Sequence, residues 1–153
     1  MQAFPHRYRV KGAGRITGDV ELTADRLTML ASASPAEFGG PGDRWSPEAL
    51  LVGAVADCFI LTFRAIAKAS GWSWISLDCD VTGTLDRVDH VMQFTHFDVT
   101  AHLVVPAGGD TVQARHALEK AERTCLITSS LKASIALGAT VDFGGPEEIE
   151  VRA

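Results

Sequence analysis

A long apolar segment at residues 46–70 constrains the fold of this 153-residue chain more than any other feature. Ser46 is a good helix N-cap, and Pro47 suits the first helical position because the N–H there has no intrahelical partner. Within residues 49–63 the only charged side chain is Asp57. A helix that is apolar on nearly all faces has to be enclosed by a core or a subunit interface. Fifteen residues interrupted by an acid are too few and too polar to span a bilayer, so the sequence predicts the central helix of a soluble protein.

Length, charge and cysteine spacing narrow the class of protein. One domain covering residues 1–153 is expected for a chain of this length. A net charge of −5 disfavours a nucleic-acid partner, because no basic patch could follow the phosphates. The first residues do not resemble a signal peptide, which predicts a cytoplasmic location where thiols stay reduced. The three cysteines form no CxxC or CxxH pair, so no metal site is predicted.

The remaining segments predict an α+β fold. Alternating polar and apolar residues predict strands at residues 6–12, 15–23, 72–86 and 94–105, of which the last two form an antiparallel hairpin. A further short strand is expected at residues 27–31, and a closing hairpin at residues 140–143 and 148–151. Helical patterns cover residues 111–123 and 125–137, with Thr124 as the N-cap of the second helix. The order of these elements, with antiparallel neighbours, predicts sheets folded over a buried helix.

Cys58 and Cys125 are the candidate reactive residues. A single cysteine in an apolar helix is more commonly a small buried hydrophobe. Cys125 changes this balance because it follows the predicted cap Thr124, and the unpaired N–H groups of a helix N-terminus favour a thiolate. One enclosed and one thiolate-prone cysteine are what two-cysteine redox chemistry requires, since one thiol becomes a sulfenic acid and the other condenses with it to a disulfide. Cys79 alternates with apolar residues on a strand and is predicted to belong to the core.

Glu48 stands ten residues before Cys58 in the same predicted helix. A rise of 1.5 Å per residue separates them by about 15 Å and places them on different faces. Two copies of the helix that cross antiparallel near Gly53 would bring Glu48 of one chain to Cys58 of the other, because position 53 is midway. The sequence therefore predicts a two-fold homodimer. The simpler interpretation of Glu48 is an acid in a first helical turn, where the helix dipole favours it.

Two arginines and a group of polar strand residues complete the candidates. Arg15 follows a glycine-rich turn and Arg44 comes just before the long helix, and a guanidinium would stabilise both a thiolate and a bound peroxide. Each of these arginines, taken alone, is more commonly a solvated surface residue. His96, Asp98 and His102 form an HxD-like pattern, but they are expected on the solvent face of an antiparallel sheet rather than on a metal.

The segments SPEALLVGAVADCF and AERTCLITSSL resemble the two signature motifs of the OsmC/Ohr family of osmotically inducible and organic hydroperoxide resistance proteins. In the first motif a Pro-Glu start leads, ten residues later, to a reactive cysteine. In the second motif another cysteine opens a helix and is usually followed by proline, where this chain has Leu126. The resemblance implies an OsmC-like fold, in which sheets wrap around long central helices in an intertwined homodimer.

The resemblance also implies a function. Cys58 would be the peroxidatic cysteine that reduces organic hydroperoxides in oxidative stress defence, and Cys125 would resolve its sulfenic acid as a disulfide. Glu48 and an arginine would orient and ionise Cys58, with Arg15 as the closer match to the catalytic position and Arg44 assigned to substrate binding. No bound cofactor is expected, and an external dithiol such as a protein-bound lipoyl group would be the reductant. The alternatives are a non-catalytic dimer that binds an apolar ligand or senses oxidants, and a structural dimer with incidental cysteines.

Overall fold

The computed structural model describes residues 3–144 of the chain. The chain forms two compact units, one ending at Leu51 and the other beginning at Val52. The first unit contains a three-stranded antiparallel sheet in the order β1-β2-β3, formed by β1 (Lys11–Ala13), β2 (Val20–Thr23) and β3 (Leu30–Ser32). Three strands are therefore present where three were predicted, but they are shorter than the alternating patterns suggest.

The long helix α1 (Pro47–Ala69) begins where its sequence signals predict. The side-chain oxygen of Ser46 accepts a hydrogen bond from the N–H of Ala49 at 3.1 Å, which is the expected cap. The helix has 23 residues, and its most apolar 18-residue window has a mean hydropathy of 1.9, so by length and composition it could cross a bilayer, contrary to the prediction from its fifteen-residue apolar run. The core helix of a soluble protein meets the same criteria.

Only one stripe of α1 is fully buried, although nearly the whole helix is apolar. Its members recur every four residues and are Val55, Phe59, Phe63 and Ala67. The ring of Phe63 packs edge-on against Trp72 and Trp74, at centroid distances of 6.0 and 5.4 Å. Most other apolar residues of the helix are half-buried, so this chain by itself covers less of α1 than the sequence predicts.

The second unit is built on a sheet in the order β4-β5-β6. Strands β4 (Ser76–Val88) and β5 (Val91–Pro106) form the predicted antiparallel hairpin. Its turn consists of Asp89 and His90, both with positive φ, as a tight hairpin requires. Strand β6 (Ser134–Gly144) pairs with β5 in parallel, so the prediction of antiparallel neighbours throughout is wrong.

The predicted second helix at residues 125–137 is also wrong. Helix α2 (Thr111–Thr124) ends at Thr124, whose hydroxyl donates back to the carbonyl of Lys120 at 2.8 Å instead of capping a new helix. A short 3₁₀ turn (Thr128–Ser130) follows, and β6 then takes up the rest of the segment. Residues 140–143, predicted as part of a closing hairpin, lie in β6, and the predicted strand at residues 148–151 lies outside the described residues.

Helix α2 connects β5 to β6 and packs against both strands. It starts at a cap, since the carboxylate of Asp110 accepts hydrogen bonds from the N–H groups of Val112 and Gln113, each at 2.9 Å. A helical crossover of this kind allows two strands to run parallel, which a tight hairpin does not. Helix α2 buries Ala114, Leu118 and Ala121, and the α+β class predicted from the sequence is confirmed.

Candidate active site

The second unit brings Cys58 and Cys125 into contact. Cys58 is half-buried in the middle of α1, and Cys125 is only 1% exposed directly after α2. The interaction between the two thiols, with Cys125 as the donor, lowers the pKa of Cys58 and adds to the raised pKa of Cys125. The hydroxyl oxygen of Thr62, one helical turn after Cys58, is 3.9 Å from the same sulfur. Two thiols in contact in an apolar core are the arrangement that disulfide formation needs.

The pKa of the Cys58 thiol lies below its ordinary value. Burial acts to raise this pKa, but hydrogen bonds to the sulfur outweigh burial. The donors are, in decreasing order, the Cys125 thiol, the backbone N–H of Ile127, the Thr62 hydroxyl and the backbone N–H of Leu126. Cys58 is therefore the cysteine of this pair that more readily becomes a thiolate nucleophile.

The pKa of the Cys125 thiol is raised, opposite to the prediction of a thiolate-prone cysteine. Burial is the largest cause, followed in part by its hydrogen bond to Cys58, while the N–H and hydroxyl of Thr128 act in the other direction. The prediction was wrong because Cys125 is the C-cap of α2 and does not open a long helix. The two thiols thus differ in acidity: Cys58 loses its proton more readily, and Cys125 keeps its own.

Cys79 lies on β4, half-buried, beside the core residue Leu77 in the alternating pattern. Burial raises the pKa of its thiol to about 11, and the charges of Asp80 and Cys125 add to this increase. The interaction with Cys125 places this third thiol near the pair, but its high pKa keeps it protonated. Cys79 is only half-buried, so its position matches the predicted core role in part.

Glu48 lies in the first turn of α1, within the first unit. It borders an apolar pocket of about 460 Å³, together with β2 and β3 residues and residues of the following loop that include Val20, Leu22 and Phe38. Its Oε2 atom is buried and has no hydrogen-bond partner among the described residues. A buried carboxylate oxygen without a hydrogen-bond donor is energetically costly.

The two candidate arginines differ in their partners. Arg44 forms ion pairs with Asp19 and Asp43, each at 3.0 Å, and the hydrogen bond to Asp19 is the main reason that its pKa is raised. Arg15 is exposed in the connection between β1 and β2, beside a polar pocket of about 540 Å³ that Asp19 and Glu21 also line. Arg15 has no ion pair among the residues described, so its guanidinium is more available than that of Arg44 to bind another group.

The histidines of β5 form hydrogen bonds on the exposed face of the sheet, where the sequence placed them. His96 contacts Ser134 at 2.7 Å and Asp98 at 3.1 Å, and His102 contacts Asp142 at 2.8 Å. Across residues 3–144, no group of three or more His, Cys, Asp or Glu side chains is arranged to hold a metal ion. His96 with Ser134 and His102 with Asp142 therefore form cross-strand pairs between β5 and β6.

Sequence reasoning missed three donors to Cys58. The Thr62 hydroxyl could have been found, because residue i+4 lies on the same face of a helix. The backbone N–H groups of Leu126 and Ile127 have no side-chain signature, and their position depends on the turn after α2.

Comparison with known proteins assigns the family. Residues 40–139 match a family model described as OsmC-like protein. The chain belongs to the OsmC-like family. It is 30% identical over 129 residues to the uncharacterized protein YmaD of Bacillus subtilis (strain 168), covering 80% of this chain and 86% of YmaD.

Solved structures share the OsmC-like fold. An OsmC-like protein of unknown function from Vibrio cholerae O1 biovar eltor str. N16961 matches with a TM-score of 0.81 and 13% identity, over 89% of this chain and 100% of that one. An organic hydroperoxide resistance protein OsmC from Legionella pneumophila matches with a TM-score of 0.71 and 24% identity, over 92% and 99% of the two chains. At these identities the likeness shows the fold alone.

Proposed function

We propose that this OsmC-like protein is a thiol-dependent peroxidase that reduces organic hydroperoxides. The observation that supports the proposal is the contact between Cys58 and Cys125, in which one thiol has a lowered pKa and the other a raised pKa. A nucleophile that ionises easily beside a thiol that stays protonated suits a two-cysteine cycle. The naming of the Legionella pneumophila relative as an organic hydroperoxide resistance protein supports the substrate class.

The cycle has three chemical steps. The Cys58 thiolate attacks one peroxide oxygen, the O–O bond breaks, and the alkoxide takes up a proton and leaves as the alcohol. Cys58 is then a sulfenic acid. The sulfur of Cys125 attacks the sulfur of Cys58, and the hydroxyl group leaves with the Cys125 proton as water, which gives the disulfide. An external dithiol, for example a lipoyl group, reduces this disulfide by two electrons and restores both thiols.

Glu48 and Arg15 complete the proposed site across a homodimer. Glu48 has a buried carboxylate oxygen without a partner, and a guanidinium would satisfy it while stabilising the departing alkoxide. Arg15 is the better candidate for that role because Arg44 already pairs with Asp19 and Asp43, which leaves Arg44 a secondary role in substrate binding. The proposed place of action is the cytoplasm, where dithiol reductants are available.

The test is the consumption of cumene hydroperoxide with dihydrolipoamide as reductant. Wild type is expected to turn over, and Cys58→Ser to fall to the uncatalysed rate because the nucleophile is lost. Cys125→Ser is expected to stop at the Cys58 sulfenic acid, visible as an added oxygen in intact mass. In the same assay Arg15→Ala should lower kcat/KM by about 100-fold, the usual effect of losing one charge-stabilising group.

Two variants serve as matched controls. Cys79→Ser removes the third thiol and Arg26→Ala removes an exposed arginine of the first unit, so both should keep wild-type turnover. The proposal fails if Cys58→Ser keeps its activity or if wild type consumes no hydroperoxide. A wild type that forms the Cys58–Cys125 disulfide without turnover would instead favour the redox-sensor alternative.

A further inference from the structure

The turn after α2 is organised around one carbonyl group. The carbonyl oxygen of Cys125 accepts the backbone N–H of Ser129 at 3.0 Å, the hydroxyl of Ser129 at 2.8 Å and the hydroxyl of Thr128 at 3.2 Å. Three donors on one acceptor hold the residues between them in a single arrangement. The backbone of Leu126 and Ile127 is therefore fixed by contacts that lie outside those two residues.

The fixed segment carries two backbone N–H groups whose hydrogen bonding lowers the pKa of Cys58. These N–H groups belong to Leu126 and Ile127, and the Thr62 hydroxyl reaches the same sulfur from α1 at 3.9 Å. The side chain of Leu126 is 76% exposed, so side-chain burial does not explain its place in the site. Its contribution to Cys58 comes from the backbone, which side-chain identity leaves unchanged for every residue except proline.

Hydrogen-bond donors that converge on one atom favour negative charge on that atom. Two of the donors come from the turn and one from the helix, so the sulfur is held from two elements at once. The titratable group in contact with the sulfur is the thiol of Cys125, which donates to it as well. Asp57, the residue immediately before Cys58 in sequence, is exposed.

We propose that Thr62 and the backbone N–H groups of Leu126 and Ile127 form an anion cradle that positions the sulfur of Cys58 and stabilises its negative charge. Ser129 and Thr128 are positioning residues, because they hold the cradle through the carbonyl of Cys125. The inference deepens the proposed peroxidase function and rests on it for its biological use. The ionisation of Cys58 can nevertheless be measured without any peroxide.

The first test compares Leu126→Pro with Leu126→Ala. Proline lacks the N–H, whereas alanine keeps it and removes only the exposed side chain. Cys125 has φ −63° and ψ 121°, a conformation that the residue before proline adopts readily. The readout is the rate of Cys58 alkylation by iodoacetamide against pH, followed by peptide mass mapping. Leu126→Pro is expected to raise the midpoint of this alkylation profile by about 0.5 to 1 pH unit. Leu126→Ala is expected to keep the wild-type midpoint.

A second pair guards against misfolding of the proline variant. Thr62→Val keeps the shape and loses the hydroxyl, so its midpoint should rise, and Thr62→Ser should restore the wild-type value. If folded Leu126→Pro and Thr62→Val both alkylate with the wild-type profile, the cradle is wrong. If Leu126→Pro does not fold, the Thr62 pair decides alone. If the midpoints shift but wild type consumes no hydroperoxide, the cradle stands and the proposed function fails.

Discussion

Cys58 and Cys125 have opposite acidities although their thiols are in contact, because hydrogen bonds are distributed unequally between them. Cys58 receives donors from the Cys125 thiol, from Thr62 and from the turn, which together outweigh burial. Cys125 gives its proton to that interaction and is nearly inaccessible, at 1% exposure. This difference assigns the roles in the proposed cycle, since the more acidic thiol is the one that attacks the peroxide first.

The site could be predicted from the sequence where it depends on side chains in recognisable motifs. Cys58, Cys125 and Glu48 were found from their spacing and residue type. The acidity of Cys125 could not be predicted, because it depends on where α2 ends and on how deeply the following turn is buried. Donors from the backbone become visible only when the tertiary fold brings the two cysteine segments together.

Cys79 should make the stability of the protein fall at alkaline pH. Its thiol has a pKa of about 11 in the folded protein and an ordinary value of 9.0 when unfolded. The folded state therefore binds more protons between these values, so the stabilisation is complete below pH 9 and is lost as pH rises through about 11. The difference between 9.0 and about 11 corresponds to at most about 3 kcal/mol, which the partial exposure of the thiol reduces. Urea unfolding from pH 8 to 11 should show a steeper loss for wild type than for Cys79→Ala, and parallel curves would contradict the assignment.

Strand β6 shows why a local pattern misled the prediction. Its residues Ile135, Leu137 and Ala139 alternate and are half-buried on one side, but the preceding residues also have apolar spacing that suits a helix. The segment is a strand because it pairs in parallel with β5 over the whole length of β6, and this pairing is non-local. The caps of α1 and α2 and the β4–β5 hairpin were predictable because their signals lie within a few residues.

Among the glycines of the β4-β5-β6 sheet, Gly83 on β4 should tolerate substitution least. A methyl group there would come within 2.8 Å of Phe94, 2.9 Å of Val52 on α1 and 3.0 Å of Phe97. Gly83→Ala is expected to lower the free energy of unfolding by about 1 to 3 kcal/mol through overpacking. Gly138 on β6 has no atom within 4 Å of the same position, so Gly138→Ala is the matched control and should not destabilise. Equal urea midpoints for the two variants would show that α1 does not pack closely at Gly83.

Across the whole molecule, α1 has more apolar surface than this chain fully covers. One stripe is buried, and only 17% of its most apolar window is buried. The half-buried remainder includes Gly53, the proposed crossing point, where a residue without a side chain lets two helices approach closely. A second copy of the same helix would complete the enclosure that the sequence predicts.

The homodimer can be tested at Gly53. Wild type should sediment at twice the 16.3 kDa chain mass, and Gly53→Leu should shift it towards the monomer because the added side chain separates the helices. Peroxidase turnover should fall with the dimer if Glu48 acts across the interface. Ala136→Leu introduces the same side chain on the exposed face of β6 and should leave the sedimenting mass unchanged. A folded Gly53→Leu variant with wild-type mass would rule out this crossing point.

The position of α1 in the chain has a consequence for biosynthesis. Trp72 and Trp74, which pack against Phe63 of its buried stripe, come later in sequence. On the ribosome the most apolar segment therefore emerges before its cover has been translated. Uncovered apolar surface of this kind favours aggregation and chaperone binding. Nascent chains that stop before Trp72 would leave Phe63 without these two aromatic neighbours.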